Sequence, residues 1–145
     1  METWYIYGII AALLYGLSAV TAKYATSSNY IGLDIQTAAF LMLIGIGIVF
    51  LAYAFSGGMP SLTNNTTALS VGILAGALWA AGMVVTFFAL KSGAEISKLA
   101  PLYNTNTLVA VTLGIVLLKE LPAGTEKIKV IIGAILIVIG GILLS

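Results

Sequence analysis

From Ile35 to Leu90 the chain carries no formal charge. Soluble domains carry about a quarter charged residues, so a run this long without one is incompatible with an ordinary water-exposed surface. The whole chain agrees: of 145 residues, 61% are hydrophobic and only 8% charged, and the mean hydropathy is +1.14. The expected fold class is an all-α integral membrane protein, multi-pass, in the plasma or inner membrane. Net charge is +1 with no arginine, which gives no footing for nucleic acid. Cysteine and histidine are both absent. That excludes disulfides, Cys/His metal sites and nucleophile–histidine pairs, so neither an enzyme nor a cofactor is expected. The start, Met1-Glu2-Thr3, lacks a basic n-region, and the first apolar run is expected to be retained rather than cleaved.

A transmembrane helix needs about 20 mostly apolar residues. Five segments meet or approach this, at about 4–22, 36–55, 68–90, 98–118 and 128–144, as one transmembrane domain over 1–145. In the first, Trp4, Tyr5 and Tyr7 crowd the start, where headgroups favour aromatic rings, and Lys23 and Tyr24 close it. Gly8, Ala11, Ala12, Tyr15, Ser18, Ala19 and Ala22 recur at helical spacing, a small-residue face from which Tyr15 alone projects. Such a face reads as packing, since it lets backbones approach closely, or as a cavity lining. A polar turn and Asp34, a plausible N-cap, precede the second segment, whose LMLIGIGIVFL centre suits lipid. Ser56-Gly57-Gly58-Met59-Pro60 breaks it. Asn64 to Thr67 continue a neutral loop that twice matches the N-glycosylation pattern, a short and common one.

The third segment aligns Gly72, Gly76, Trp79, Met83 and Thr86 on one stripe. Trp79 lies mid-segment, away from the interfacial belts, and its indole N–H needs a partner. The fourth segment, within EISKLAPLYNTNTLVAVTLGIVLLKE, confines its charges to the two ends and places Pro101 near the first. Asn104, Thr105, Asn106 and Thr107 then follow in a row. Unsatisfied amides in hydrocarbon cost roughly several kcal/mol. At 100° per residue Asn104 and Asn106 point to nearly opposite faces, so this segment is expected to be surrounded by protein or to border a wet cavity. KELPAGTEKIK, with proline and glycine for a tight turn, leads to the fifth segment and its glycines at 133, 140 and 141. With five spans the termini are expected on opposite sides, and no soluble domain is expected to follow.

Three stretches resemble one repeat of the drug/metabolite transporter superfamily, of the kind called an EamA domain. YGLSAVTAKYA is similar to its small-residue run closing on lysine (Lys23), although Tyr15 stands where tryptophan is usual. FFALKSGAEISKLAPLYNTNTLVAVTLGIVLLKE is similar to its third-to-fourth helix passage, with Lys91, Pro101 and Glu120. IGAILIVIGGILL is similar to its closing helix. The resemblance implies secondary transport of small polar metabolites. Most such proteins are similar to two of these units related by an inverted repeat, so a single unit implies a homodimer with its cavity between subunits.

On this reading Tyr15, Ser18, Trp79, Asn104 and Asn106 line the substrate path. Amides and hydroxyls there suit a neutral or zwitterionic solute, with aromatic faces over its apolar part. Lys98, near the mouth, could attract an anion or simply snorkel to the interface. No segment holds an acid at its centre, so a carboxylate-based proton antiport of lipophilic cations is not expected. An alternative is a small structural or accessory subunit without transport, its Asn/Thr cluster joining helices at about 0.6 kcal/mol per hydrogen bond. A channel ranks lowest, for want of a charged ring or carbonyl-type filter. Lysines divide three to three between the two sides (Lys119, Lys127, Lys129 against Lys23, Lys91, Lys98). Such a balance gives no strong orientation signal and would permit an antiparallel pair.

Overall fold

A computed structural model describes residues 3–59, 64–120 and 124–143. Pro60, Pro122 and the side chains of Trp4 and Tyr5 lie outside that set. All regular structure among the described residues is helical: α1 (Thr3–Thr26), α2 (Ile35–Phe55), α3 (Thr66–Lys91), α4 (Ile96–Tyr103), α5 (Asn106–Val116) and α6 (Thr125–Leu143). Four stretches among them are long and apolar enough to cross a membrane: Ile6–Thr26, Ile35–Phe55, Thr66–Lys91 and Ile96–Val116. The chain divides into two compact units, Met1–Gly93 and Ala94–Ser145.

In the first unit α1, α2 and α3 pack on one another, and their buried side chains are few. Ala38, Phe87 and Leu90 are the buried apolar side chains among the described residues, and Thr26 and Ser27 are buried at the α1–α2 turn. The first helix runs four residues past its expected end at 22. Its last turn is closed from behind: the Ile31 and Leu33 amides donate to the Tyr24 and Ala25 carbonyls at 3.2 and 2.9 Å, satisfying carbonyls a helix end leaves bare. Gly32 makes the return possible at φ 74°, a left-handed conformation that costs a Cβ-bearing residue about 1–2 kcal/mol. The Lys91 ammonium, at the end of α3, donates to the Gly32 and Leu33 carbonyls at 3.0 and 3.1 Å. This tie sets the α1–α2 turn and the end of α3 at the same end of the unit.

Asp34 caps α2, accepting from the Thr37 amide at 2.9 Å and from the Thr37 hydroxyl. These bonds, the side-chain one first, hold its carboxyl below its ordinary value. The carboxylate's contribution to the cap is therefore complete above the ordinary carboxylate range and is lost as pH falls through the lowered folded value. Asn65 caps α3, its side-chain oxygen accepting from the Thr67 and Ala68 amides at 3.0 and 3.2 Å. The asparagine shared by both glycosylation-like triplets thus has a structural use. Asn65→Ala should lower stability by about 1 kcal/mol, read as a lower unfolding temperature in detergent. Asn65→Asp, which keeps the acceptor, should change it little.

The second unit packs α6 against α4 and α5. The expected single helix over 98–118 is instead interrupted. Pro101 removes the amide that would bond to Ser97, and four residues on the backbone ladder tightens. Thr105, Thr107 and Leu108 donate to carbonyls three residues back, those of Leu102, Asn104 and Thr105, at 3.2, 3.1 and 2.9 Å. A turn of such i→i−3 bonding is how helices absorb a kink. Lys98 pairs with Glu95 at 3.3 Å with both side chains well exposed, a contact of little energetic weight. At the far end Lys119 adopts φ 59°, turning the chain so that the Glu120 amide reaches the Gly114 carbonyl at 3.1 Å.

Candidate functional site

In the first unit α1, α2 and α3 enclose a half-open pocket of about 300 Å³. Ser18, Thr21 and Thr26 supply its hydroxyls, and Ala38, Met42 and Phe87 belong to its apolar walls. The Thr21 and Thr26 hydroxyls donate to the carbonyls of Leu17 and Ala22, each at 2.8 Å. Their hydrogens are spent and their oxygens remain acceptors. Ser18 also lines the pocket, and among the described residues its hydroxyl has no such bond, which leaves its hydrogen available to donate. None of the lining residues carries a charge, so the pocket suits a neutral group.

Of the sequence-predicted residues in this unit, Ser18 lines the pocket, whereas Tyr15 and Trp79 do not. Both aromatics are exposed, at 66% and 45%. Tyr15 sits one turn from Ser18 on α1, a spacing at which side chains are neighbours. Trp79 lies near the middle of α3; on its stripe a Cβ on Gly72 or Gly76 would meet nothing within 4 Å, whereas Met83 and Thr86 are half-buried. Thr21, Thr26 and Phe87 escaped the sequence reading. The signal for the first was available, since Ser18, Thr21, Ala22 and Ala25 recur at three- and four-residue spacing.

In the second unit Asn104 and Asn106 flank Thr105 at the interruption between α4 and α5. Their placement on opposite faces, argued from a straight helix, does not carry over to a broken one. Both asparagines are exposed. The Thr105 hydroxyl instead turns inward along the chain, donating to the Leu102 carbonyl at 2.6 Å. That carbonyl also accepts the Thr105 amide, so the break is held by two bonds from one residue. Two exposed amides beside a fixed backbone can offer donors and acceptors to a polar group. Among the described residues no group of His, Cys, Asp or Glu side chains is placed to hold a metal ion.

The sequence profile of the EamA-like transporter family matches residues 2–145. A protein of Listeria innocua named "Putative sugar uptake protein" is 32% identical over 134 residues, covering 83% of this chain and 44% of its own length. A protein of the same name in Listeria monocytogenes is 30% identical over 136 residues, 84% of this chain and 45% of that protein. The chain thus spans about half the length of these curated relatives. An uncharacterized protein of Methanocaldococcus jannaschii is 27% identical over 145 residues, covering 100% of this chain and 98% of that protein. No solved structure matches.

Proposed function

The chain belongs to the EamA-like transporter family and is a multi-pass membrane protein, and from that premise we propose that it carries a small neutral polyhydroxylated solute, a sugar, by alternating access. The observation that carries the proposal is the family match over residues 2–145 together with two relatives named for sugar uptake. The chemistry supports it. Asn104 and Asn106 pair with hydroxyls as donor and acceptor, Ser18 adds a hydroxyl, and Tyr15 and Trp79 offer flat faces to the C–H side of a sugar ring. In this reading α6 is the fifth span, α4 and α5 together make the fourth, and the chain forms one transmembrane domain. The working unit is a homodimer, with a second copy supplying the facing surface of the substrate path.

Reconstitution in liposomes with a panel of radiolabelled hexoses and pentoses tests this. The expected result is saturable uptake of at least one sugar, accelerated by the same sugar preloaded inside. Absence of flux for every member of the panel from a folded, reconstituted dimer would remove the sugar reading. It would favour the accessory-subunit alternative.

A further inference from the structure

Three glycines of α6 could let a neighbour approach, and one of them does. A Cβ on Gly133 or Gly140 would meet nothing within 4 Å, whereas one on Gly141 would stand 3.1 Å from Thr105 Cγ2 and 3.4 Å from the Pro101 carbonyl oxygen. Gly141 is buried. Thr105 lies within the break, and Pro101 lies one turn before it. The Pro101 oxygen at 3.4 Å is at ordinary contact distance, so the tight approach is the one to Thr105 Cγ2. Thr105 is β-branched and stiff about its first torsion, and its hydroxyl is already engaged on the Leu102 carbonyl at 2.6 Å. An alanine at 141 would therefore have to displace Thr105, and the break that carries it, by a few tenths of an ångström.

We infer that Gly141 is a positioning residue for Asn104 and Asn106. The room left by its missing Cβ seats the α4–α5 break against α6, and so fixes the backbone from which the two amides project. This rests on the reading that those amides line the substrate path. Gly141 itself touches no substrate.

Thr105→Ser deletes the clashing Cγ2 and keeps the hydroxyl, which gives a steric rescue. Gly141→Ala is expected to raise KM for hexose uptake about tenfold, the scale of a tight core insertion, and adding Thr105→Ser to recover most of it. Because the chain has no cysteine, Asn106→Cys supplies a unique thiol. Its rate of reaction with a water-soluble maleimide should change several-fold with Gly141→Ala and return with Thr105→Ser, a readout that does not depend on a transported sugar. If Gly141→Ala does not reach the membrane folded, the same rescue is read on folded yield, and the double variant supplies the KM. Unchanged KM and labelling in Gly141→Ala, or losses that Thr105→Ser does not reverse, overturn the inference. Normal transport by Asn104→Ala and Asn106→Ala would instead defeat the lining reading, while the labelling pair still decides whether Gly141 seats the break.

Discussion

Asn104→Ala or Asn106→Ala is expected to cut sugar uptake by at least about tenfold while leaving thermal stability almost unchanged. A polar group left unpaired when its partner is removed costs about 1–3 kcal/mol, and each 1.4 kcal/mol is about a factor of ten. Both side chains are exposed at the break, so the folded chain loses little when they are truncated. If they serve instead to join helices, each bond contributes about 0.6 kcal/mol, and stability and transport fall together. The measurement is initial uptake rate in proteoliposomes beside the unfolding temperature of the same preparation. Parallel loss of both in the two variants would refute the lining role.

The second large effect concerns orientation. With five spans, one side holds Lys119, Lys127 and Lys129 and the other Lys23, Lys91 and Lys98. Insertion direction follows the lysine and arginine excess near the cytoplasm, and here neither side has one. An inverted-repeat cavity built from two identical chains needs an antiparallel pair, which a balanced tally allows. Reporters fused to the C-terminus should therefore give signal on both sides of the membrane. Met59→Lys with Asn64→Lys, two exposed positions, would add two charges to one side. That variant should lock a single orientation and lower uptake by roughly the fraction of antiparallel pairs lost, on the order of tenfold for a strong bias. It should recover when mixed with a variant biased the other way. A reporter on one side only, in protein that transports normally, rules out the antiparallel pair.

Much of the fold was legible because hydrocarbon leaves few choices. The charge-free run, the aromatic and lysine punctuation and the glycine breaks locate α1 to α3 within a few residues, and Asp34 was identifiable as a cap from its place before an apolar run. Two features were not. The end of α1 depends on amides from Ile31 and Leu33 folding back, and no local propensity encodes a return contact. The break in the fourth span was signalled by Pro101, yet it falls at Asn104 and Thr105, where the backbone bonding tightens. A proline announces a kink without fixing which residues absorb it. The candidate site was legible by residue type and only partly by place. Ser18 reaches a pocket, but its hydroxyl companions Thr21 and Thr26 pass in sequence for ordinary helix residues.

The open glycines of α1 and α3 have a use of their own. At Gly8, Gly16, Gly72, Gly76 and Gly82 a Cβ would meet nothing within 4 Å. A glycine inside a helix costs about 0.5–1 kcal/mol relative to alanine, and among the described residues none of these five recovers that cost through close contact. Alanine introduced at each one in turn becomes a footprint of whatever lies outside the chain. Where the methyl group meets fluid acyl chains, the variant gains stability. Where it meets a second polypeptide at close range, the variant weakens. The sign of five small substitutions thus traces the outline of the missing neighbour, glycine by glycine, without an image of the assembly.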